Sequence, residues 1–249
     1  MIQTINLTKS FGSLVAVERL NLDIRAGEFF AFLGPNAAGK TTTIKLLTGL
    51  MRPTEGRAII GGFDIQKQPM EAKRLIAFVP DFPFAYEKLD PEEFLMFVGE
   101  IYGMARPEIR QRADRLFERF NLVEFRNKLI ESLSHGTRQR VVLASALLHD
   151  PKVIIIDEPM VGLDPRSARI VKDALKERAR NGATVFLSTH QLSVAEELAD
   201  RIGIINNGRL VALDTLDQIR KQLGAHSPLE SIFLELTRED ENVVQPTPP

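Results

Sequence analysis

Five consecutive apolar residues, Phe29–Leu33, run directly into Gly34-Pro35-Asn36-Ala37-Ala38-Gly39-Lys40-Thr41, and an apolar-periodic segment, Thr42–Leu50, follows. This junction constrains the fold more than any other part of the chain. A continuous apolar run reads as a strand buried on both faces, and such strands belong to parallel sheets covered by helices. The eight residues after it fit G-x-x-x-x-G-K-[ST] in full, in the strand-to-helix context that gives the pattern its meaning. Backbone N–H groups of such a tight turn surround phosphate oxygens, and the start of the following helix adds a favourable partial charge. Gly39 lets the backbone approach and turn into the helix. Lys40 would bridge the β- and γ-phosphates, the Thr41 hydroxyl would bind Mg²⁺, and Thr42 would reach the α-phosphate of ATP. A glycine turn with a surface lysine would account for the same letters, but not for the strand before and the helix after.

A second buried strand, Val153–Ile156, ends in Asp157-Glu158-Pro159. Ligands of open α/β sheets gather at the carboxyl ends of the strands. Asp157 would hold Mg²⁺ beside Thr41, directly or through water. Glu158 would polarise the attacking water as general base. Pro159 is expected to bias Glu158 toward an extended backbone and so help aim it. Ser188-Thr189-His190 ends the next strand and brings His190 to the same edge, where it would meet the γ-phosphate and the attacking water. Alone, the acid pair would read as a solvated turn and the histidine as packing. Beside a phosphate loop, a metal ligand and a base are what the chemistry needs. His135, His149 and His226 have no comparable placement.

The rest of the chain alternates between the two periods. Residues 1–33 read as short strands, Arg57–Ile65 as a hairpin about Gly61-Gly62, and Ile202–Leu213 as a hairpin about Asn206-Asn207-Gly208. Between about 85 and 150 the pattern is helical. Asp90, Pro91 and Glu93 form a capping box, Arg106-Pro107 opens a second helix with Leu116, Phe117 and Phe120 on one face, and Ser134 caps a third that buries Val141, Leu143, Ala144 and Leu147. Pro165–Arg180 and Gln191–Leu198 read as helices around a strand at Ala183–Ser188. Strands alternating with helices imply a parallel sheet, with the block at 85–149 inserted between two of its strands.

None of the 249 residues is cysteine, which excludes disulfides and thiolate metal sites and fits a reducing compartment. The formal net charge is −1, so no global field draws the chain to nucleic acid, and no such partner is expected. The first residues lack the basic and apolar regions of a signal peptide. The most apolar run is far shorter than the roughly 20 residues that span a bilayer. Any path across a membrane is expected from another chain.

Further segments fall into a known order. Leu133-Ser134-His135-Gly136-Thr137 resembles the signature LSGGQ, Phe78-Val79-Pro80-Asp81 a connecting loop, Gly162-Leu163-Asp164 the loop after the acid pair, and Phe11 an aromatic that stacks on adenine. Together, from about residue 2 to 236, the chain resembles ABC-type ATPases, the nucleotide-binding subunits of ABC transporters. The resemblance implies an α/β P-loop NTPase (ABC ATPase) core with a parallel sheet, an antiparallel β-subdomain and an inserted helical subdomain. The cassette would occupy residues 1–237, with the core and β-subdomain at about 1–84 and 150–225 and the helices at about 85–149. Residues 238–249, polar and proline-rich, read as a disordered tail. The resemblance further implies a head-to-tail dimer with a second copy or a homologous subunit, in which Ser134 and Gly136 meet the γ-phosphate held by the other subunit. It also implies transmembrane permease partners and a cytoplasmic location at the inner face of the cell membrane.

Three residues depart from the pattern. Ala37 replaces a loop glycine and is strained if its position requires positive φ. Asp81 replaces a glutamine; a carboxylate there would still bind Mg²⁺ while adding charge. His135 replaces the first signature glycine and marks the exporter-type subfamily. The segment Ser231–Thr237 also resembles the short C-terminal helix common in those subunits, but it reads first as an amphipathic helix that docks on its own chain. The reading is therefore an ATP-hydrolysing subunit powering an exporter. A soluble mechanochemical ABC ATPase, or a nucleotide-gated module with low turnover, are the alternatives. The absence of a second ATPase module and of long coiled coils argues against the first alternative, and the intact Lys40, Asp157, Glu158 and His190 against the second.

Overall fold

The computed structural model describes residues 1–222 and 229–237. The expected tail at 238–249 and His226 lie outside them. Polar–apolar alternation at the start of the chain yields two strands longer than the sequence suggests, β1 (Ile2–Phe11) and β2 (Leu14–Ile24). Their pairing is antiparallel with several register shifts, which let one long ribbon bend instead of breaking into short pieces. β3 (Phe29–Leu33) is buried at all five residues. α1 (Lys40–Leu47) begins two residues earlier than the apolar pattern indicates, because Gly39 at φ 109 turns the chain so that Lys40 is already helical. β4 (Glu55–Ile60) and β5 (Phe63–Asp64) form the hairpin about Gly61-Gly62.

α2 (Pro69–Arg74) and β6 (Ile76–Val79) come next, and neither has a sequence signal. Each is too short to display a period, and β6 shares Phe78-Val79 with the segment read as a connecting loop. α3 (Pro91–Ile101) carries the complete capping box of Asp90 and Glu93. α4 (Arg106–Arg119) follows, and α5 (His135–Leu147) is capped by Ser134, whose Oγ accepts from the Thr137 N–H. The remaining elements are β7 (Val153–Asp157), α6 (Pro165–Arg180) capped by Asp164, β8 (Thr184–Thr189), α7 (Leu192–Leu198), β9 (Arg201–Asn206), β10 (Arg209–Asp214), α8 (Leu216–Gln222) and α9 (Leu229–Thr237).

Two sheets organise these elements. One is antiparallel, in the order β2-β1-β4-β5. The other runs β10-β9-β3-β8-β7-β6, parallel except for β10. α3, α4 and α5 all lie between β6 and β7 in the chain. Phe30, Phe32 and Phe186 meet in one core cluster, with ring centroids 5.3–6.4 Å apart, shared by the larger sheet, α1 and the inner faces of β1 and β2. Burying side chains of this size contributes about 1.5–3 kcal/mol each. A second cluster joins the opposite face of the sheet to Phe94, Phe117, Phe120 and Leu143 of the helices. In α9, Leu229 and Ile232 are buried in a third cluster with Ala195 and Ile204. The amphipathic segment thus docks on its own chain.

The register decides where the chemistry sits. Leu33 of β3 pairs with Thr189 of β8, and Ser188 pairs with Asp157 of β7. The phosphate loop, the acid pair and His190 therefore leave the sheet at one edge, with β8 between the other two strands.

Candidate functional site

Gly39 fits its position because no other residue does. Its φ is +109, and a Cβ there would stand 2.4 Å from the Ala16 carbonyl oxygen. The loop is thereby pressed against β2, and Ala38 is tied to the β9–β10 turn by the Gly208 N–H at 3.0 Å. Ala16, Asn36, Ala37, Gly39, Lys40, Thr41, Thr42, Asp81, Asp157 and Glu158 line a single cavity of about 270 Å³. Of the loop residues, Gly34 and Ala38 are buried beneath it and Pro35 is partly covered. Ala37 has φ +63, so this position does take the left-handed conformation and the alanine is strained.

Lys40 is buried at the cavity. Its ammonium donates to the carbonyl oxygens of Gly34 at 2.7 Å and Pro35 at 3.0 Å. Burial lowers its pKa, against the carboxylates of Glu158 and Asp157, which raise it. The Thr41 hydroxyl donates to Asp157 Oδ2 at 3.1 Å. Burial raises the Asp157 carboxyl. The Ser188 hydroxyl, which lies alongside without an aligned hydrogen bond, and the Thr41 hydroxyl oppose that rise, and the Asp81 and Glu158 charges add to it. Asp81 faces the same cavity, and its carboxylate also accepts from the Phe82 N–H at 2.8 Å.

These oxygens suit a hard divalent cation, and a buried carboxyl with a raised pKa is what a nearby cation would relieve. Among the described residues no group of three or more His, Asp or Glu side chains is arranged to hold a metal alone. Mg²⁺ commonly takes one or two carboxylates and completes its shell with phosphate oxygens and water.

Glu158 does not adopt the extended backbone expected before proline. Its φ is +46. The hydrogen bond from its N–H to the Ser188 carbonyl, 2.9 Å, holds it there. This tertiary contact outweighs the steric preference that Pro159 imposes. The carboxylate accepts three hydrogen bonds. Thr189 Oγ1 donates to Oε2 at 3.1 Å, while the His190 N–H at 2.9 Å and His190 Nδ1–H at 2.8 Å donate to Oε1. His190 is thus joined to Glu158, a partnership that the sequence reading did not include.

Two expected binding elements stand apart from this cavity. Ser134 and Gly136 open α5, which packs on residues 161–164, and neither lines the cavity. Phe11, at the end of β1, is 47% exposed with the Lys9 ammonium 5.1 Å from its ring centroid.

The family model described as "ABC transporter" matches residues 17–161, more than half of the chain. The chain belongs to the ABC transporter family. This ABC ATPase is 36% identical to the linearmycin resistance ATP-binding protein LnrL of Bacillus subtilis over 92% of its own length and 74% of that protein's. Its fold matches a solved ATP-binding subunit of an ABC transporter with a TM-score of 0.91 and 34% identity, over 96% of this chain and 100% of that one. It also matches a dimeric ATP-binding cassette solved in a post-hydrolysis state with ADP and phosphate, at a TM-score of 0.80 and 28% identity, over 87% and 99% of the two chains. The chain is an ATP-binding, ATP-hydrolysing subunit.

Sequence reasoning missed two participants in the site of this ABC ATPase. Thr189 was legible as the middle residue of Ser188-Thr189-His190, since it precedes the histidine at the strand end. Ala16 carries no signal, because its backbone carbonyl and not its side chain presses on the loop.

Proposed function

We propose that this ABC ATPase powers export of a substrate through separate transmembrane subunits, working as a head-to-tail dimer at the inner face of the cell membrane. The observation that carries the catalytic half is the set of three hydrogen bonds on the Glu158 carboxylate, facing the cavity that Lys40 and Thr41 also line. Lys40 exchanges its loop carbonyls for the β- and γ-phosphate oxygens of ATP. Glu158 takes a proton from the attacking water as its oxygen bonds to the γ-phosphorus, and the bond to the bridging oxygen of ADP breaks. His190 and Thr189 hold the carboxylate in line. Thr41 and Asp157, with Asp81 nearby, would hold Mg²⁺, which neutralises phosphate charge. Phe11 stacks on the adenine.

Ser134 and Gly136 serve the ATP of a second copy, closing from outside the cavity of their own protomer. Closure excludes water and completes each site. Loss of the γ-phosphate removes the charge that bridges the two subunits. The helices at about 85–149 then pass the opening motion to the membrane subunits. Among the described residues no helix is long and apolar enough to cross a membrane. The resistance role in the name of LnrL supports export as the direction.

Glu158→Gln tests this reading. Phosphate release should fall by about 10²-fold or more while an ATP-dependent dimer accumulates on size exclusion, and the chain should co-purify with membrane subunits. Unchanged hydrolysis in the variant would sink the catalytic assignment.

A further inference from the structure

His135 stands where the family pattern has glycine, and its side chain has definite contacts. The Nε2–H of His135 donates to the carbonyl oxygen of Val161 at 3.4 Å, a long hydrogen bond. The ring also covers Gly162, where an added Cβ would come within 3.0 Å of both Cδ2 and Nε2. Gly162 has φ +74, a backbone that glycine adopts freely, so the ring has a flat seat. Val161 in turn donates its N–H to the Glu158 carbonyl at 3.3 Å. Next to His135, Gly136 faces the Leu163 side chain and the Asp164 carboxylate. One continuous set of contacts thus joins the start of α5 to the backbone of Glu158, within one protomer.

We propose that His135 is a positioning residue that couples the two ATP sites of the dimer. This rests on the assignment above, in which Ser134 and Gly136 touch the ATP of the other copy. When they do, the start of α5 becomes fixed. His135 transmits that restraint through Val161 to Glu158, whose backbone is held at φ +46. Each general base is thereby aligned by its own signature turn, and that turn is ordered by ATP in the opposite site. A glycine at 135 would leave α5 capped by Ser134 but would remove the side chain that reaches Val161. A second hydrogen-bond donor of similar reach, such as glutamine, would keep the link.

The test uses the purified full chain in three forms, wild type, His135→Gly and His135→Gln, with each variant also made in the Glu158→Gln background. Wild type should hydrolyse ATP with a Hill coefficient above one. His135→Gly should lose cooperativity and drop in kcat by about fivefold or more, because a slightly misplaced base loses rate. ATP-dependent dimer formation in the Glu158→Gln background should be unchanged, and His135→Gln should recover most of kcat and the cooperativity. Wild-type kinetics in His135→Gly would overturn the proposal, as would a dimer lost in parallel with kcat, or a non-cooperative wild type. Hydrolysis at the wild-type rate in Glu158→Gln alone would instead count against the assignment of the general base.

Discussion

His190 donates its Nδ1–H to Glu158 Oε1 at 2.8 Å, joining the ends of β8 and β7 beside the cavity that Glu158 lines. The imidazole is half exposed while the carboxylate is largely covered, so in the proposed mechanism the histidine is a movable support for the base. Glu158→Gln should lower kcat by about 10²–10⁴-fold, the usual worth of a general base. His190→Ala should lower kcat by up to about 100-fold with little change in KM, because misplacing a base by an ångström costs that much. Steady-state phosphate release distinguishes the two. A KM effect larger than the kcat effect in His190→Ala would mean that the histidine binds ATP instead.

Ala37 holds φ +63 in the loop. A non-glycine residue there costs roughly 1–2 kcal/mol, while glycine's freer unfolded chain costs about 0.4–1 kcal/mol. Ala37→Gly should therefore stabilise the protein by about 0.5 kcal/mol and raise Tm by roughly 1–2 °C. Ala37→Val, β-branched at the same angle, should lower both Tm and ATP affinity. Differential scanning fluorimetry and nucleotide titration would measure these.

Thr41 and Asp157 share a hydrogen bond at 3.1 Å at the floor of the cavity. Chelating Mg²⁺ should abolish hydrolysis, and adding it back should restore activity fully. Thr41→Ala should raise the Mg²⁺ concentration needed for half-maximal rate by about tenfold. An unchanged Mg²⁺ requirement would remove Thr41 from the proposed Mg²⁺ site.

Burial holds the His149 imidazole down at about 4, helped by Arg178 and Arg112 and opposed by its bond to Ile76 and by Asp150. Its ring stacks on Tyr102 at 3.6 Å and its Nε2–H donates to the Ile76 carbonyl. In the unfolded chain the same histidine takes up a proton near 6.5. Between those values the unfolded state binds more protons, so this contribution to stability is complete above about pH 6.5 and falls as pH drops toward 4. The ceiling is about 3 kcal/mol, and partial exposure reduces it to roughly 2 kcal/mol. Denaturant unfolding at several pH values should show His149→Phe, which keeps the stack, losing less stability between pH 7 and 5 than wild type.

Arg140 is buried, and among the described residues no carboxylate pairs with it. Its guanidinium donates to the carbonyl oxygens of Phe120 at 2.6 Å, Asn121 at 3.1 Å and Gly136 at 3.3 Å, and to Thr137 Oγ1 at 3.2 Å. It ties α5 to the end of α4. Arg140→Ala should cost about 3 kcal/mol, or roughly 6–12 °C in Tm. Arg140→Lys should not rescue it, because one ammonium cannot span that fork. Thermal unfolding provides the check.

What the sequence alone determined was local. Phe29–Leu33 and Val153–Ile156 announce buried strands because every residue is apolar. Gly34–Thr41 announces its chemistry because few residue sets can turn a strand into a helix around phosphate. The Asp90 and Ser134 caps are each written within four residues of their own partners, Glu93 and Thr137. What only the tertiary structure decided was what lies opposite what. β8 sits between β3 and β7, which no period along the chain encodes, and that placement brings His190 and Thr189 onto Glu158. The same packing sets Glu158 at φ +46 against the preference of its neighbour Pro159, since a 2.9 Å bond to the Ser188 carbonyl holds the backbone there. Local sterics and periodicity act within a few residues and can be read in order. Pairing across the sheet joins Asp157 to Ser188 and Leu33 to Thr189, residues far apart along the chain, and only the fold brings them together.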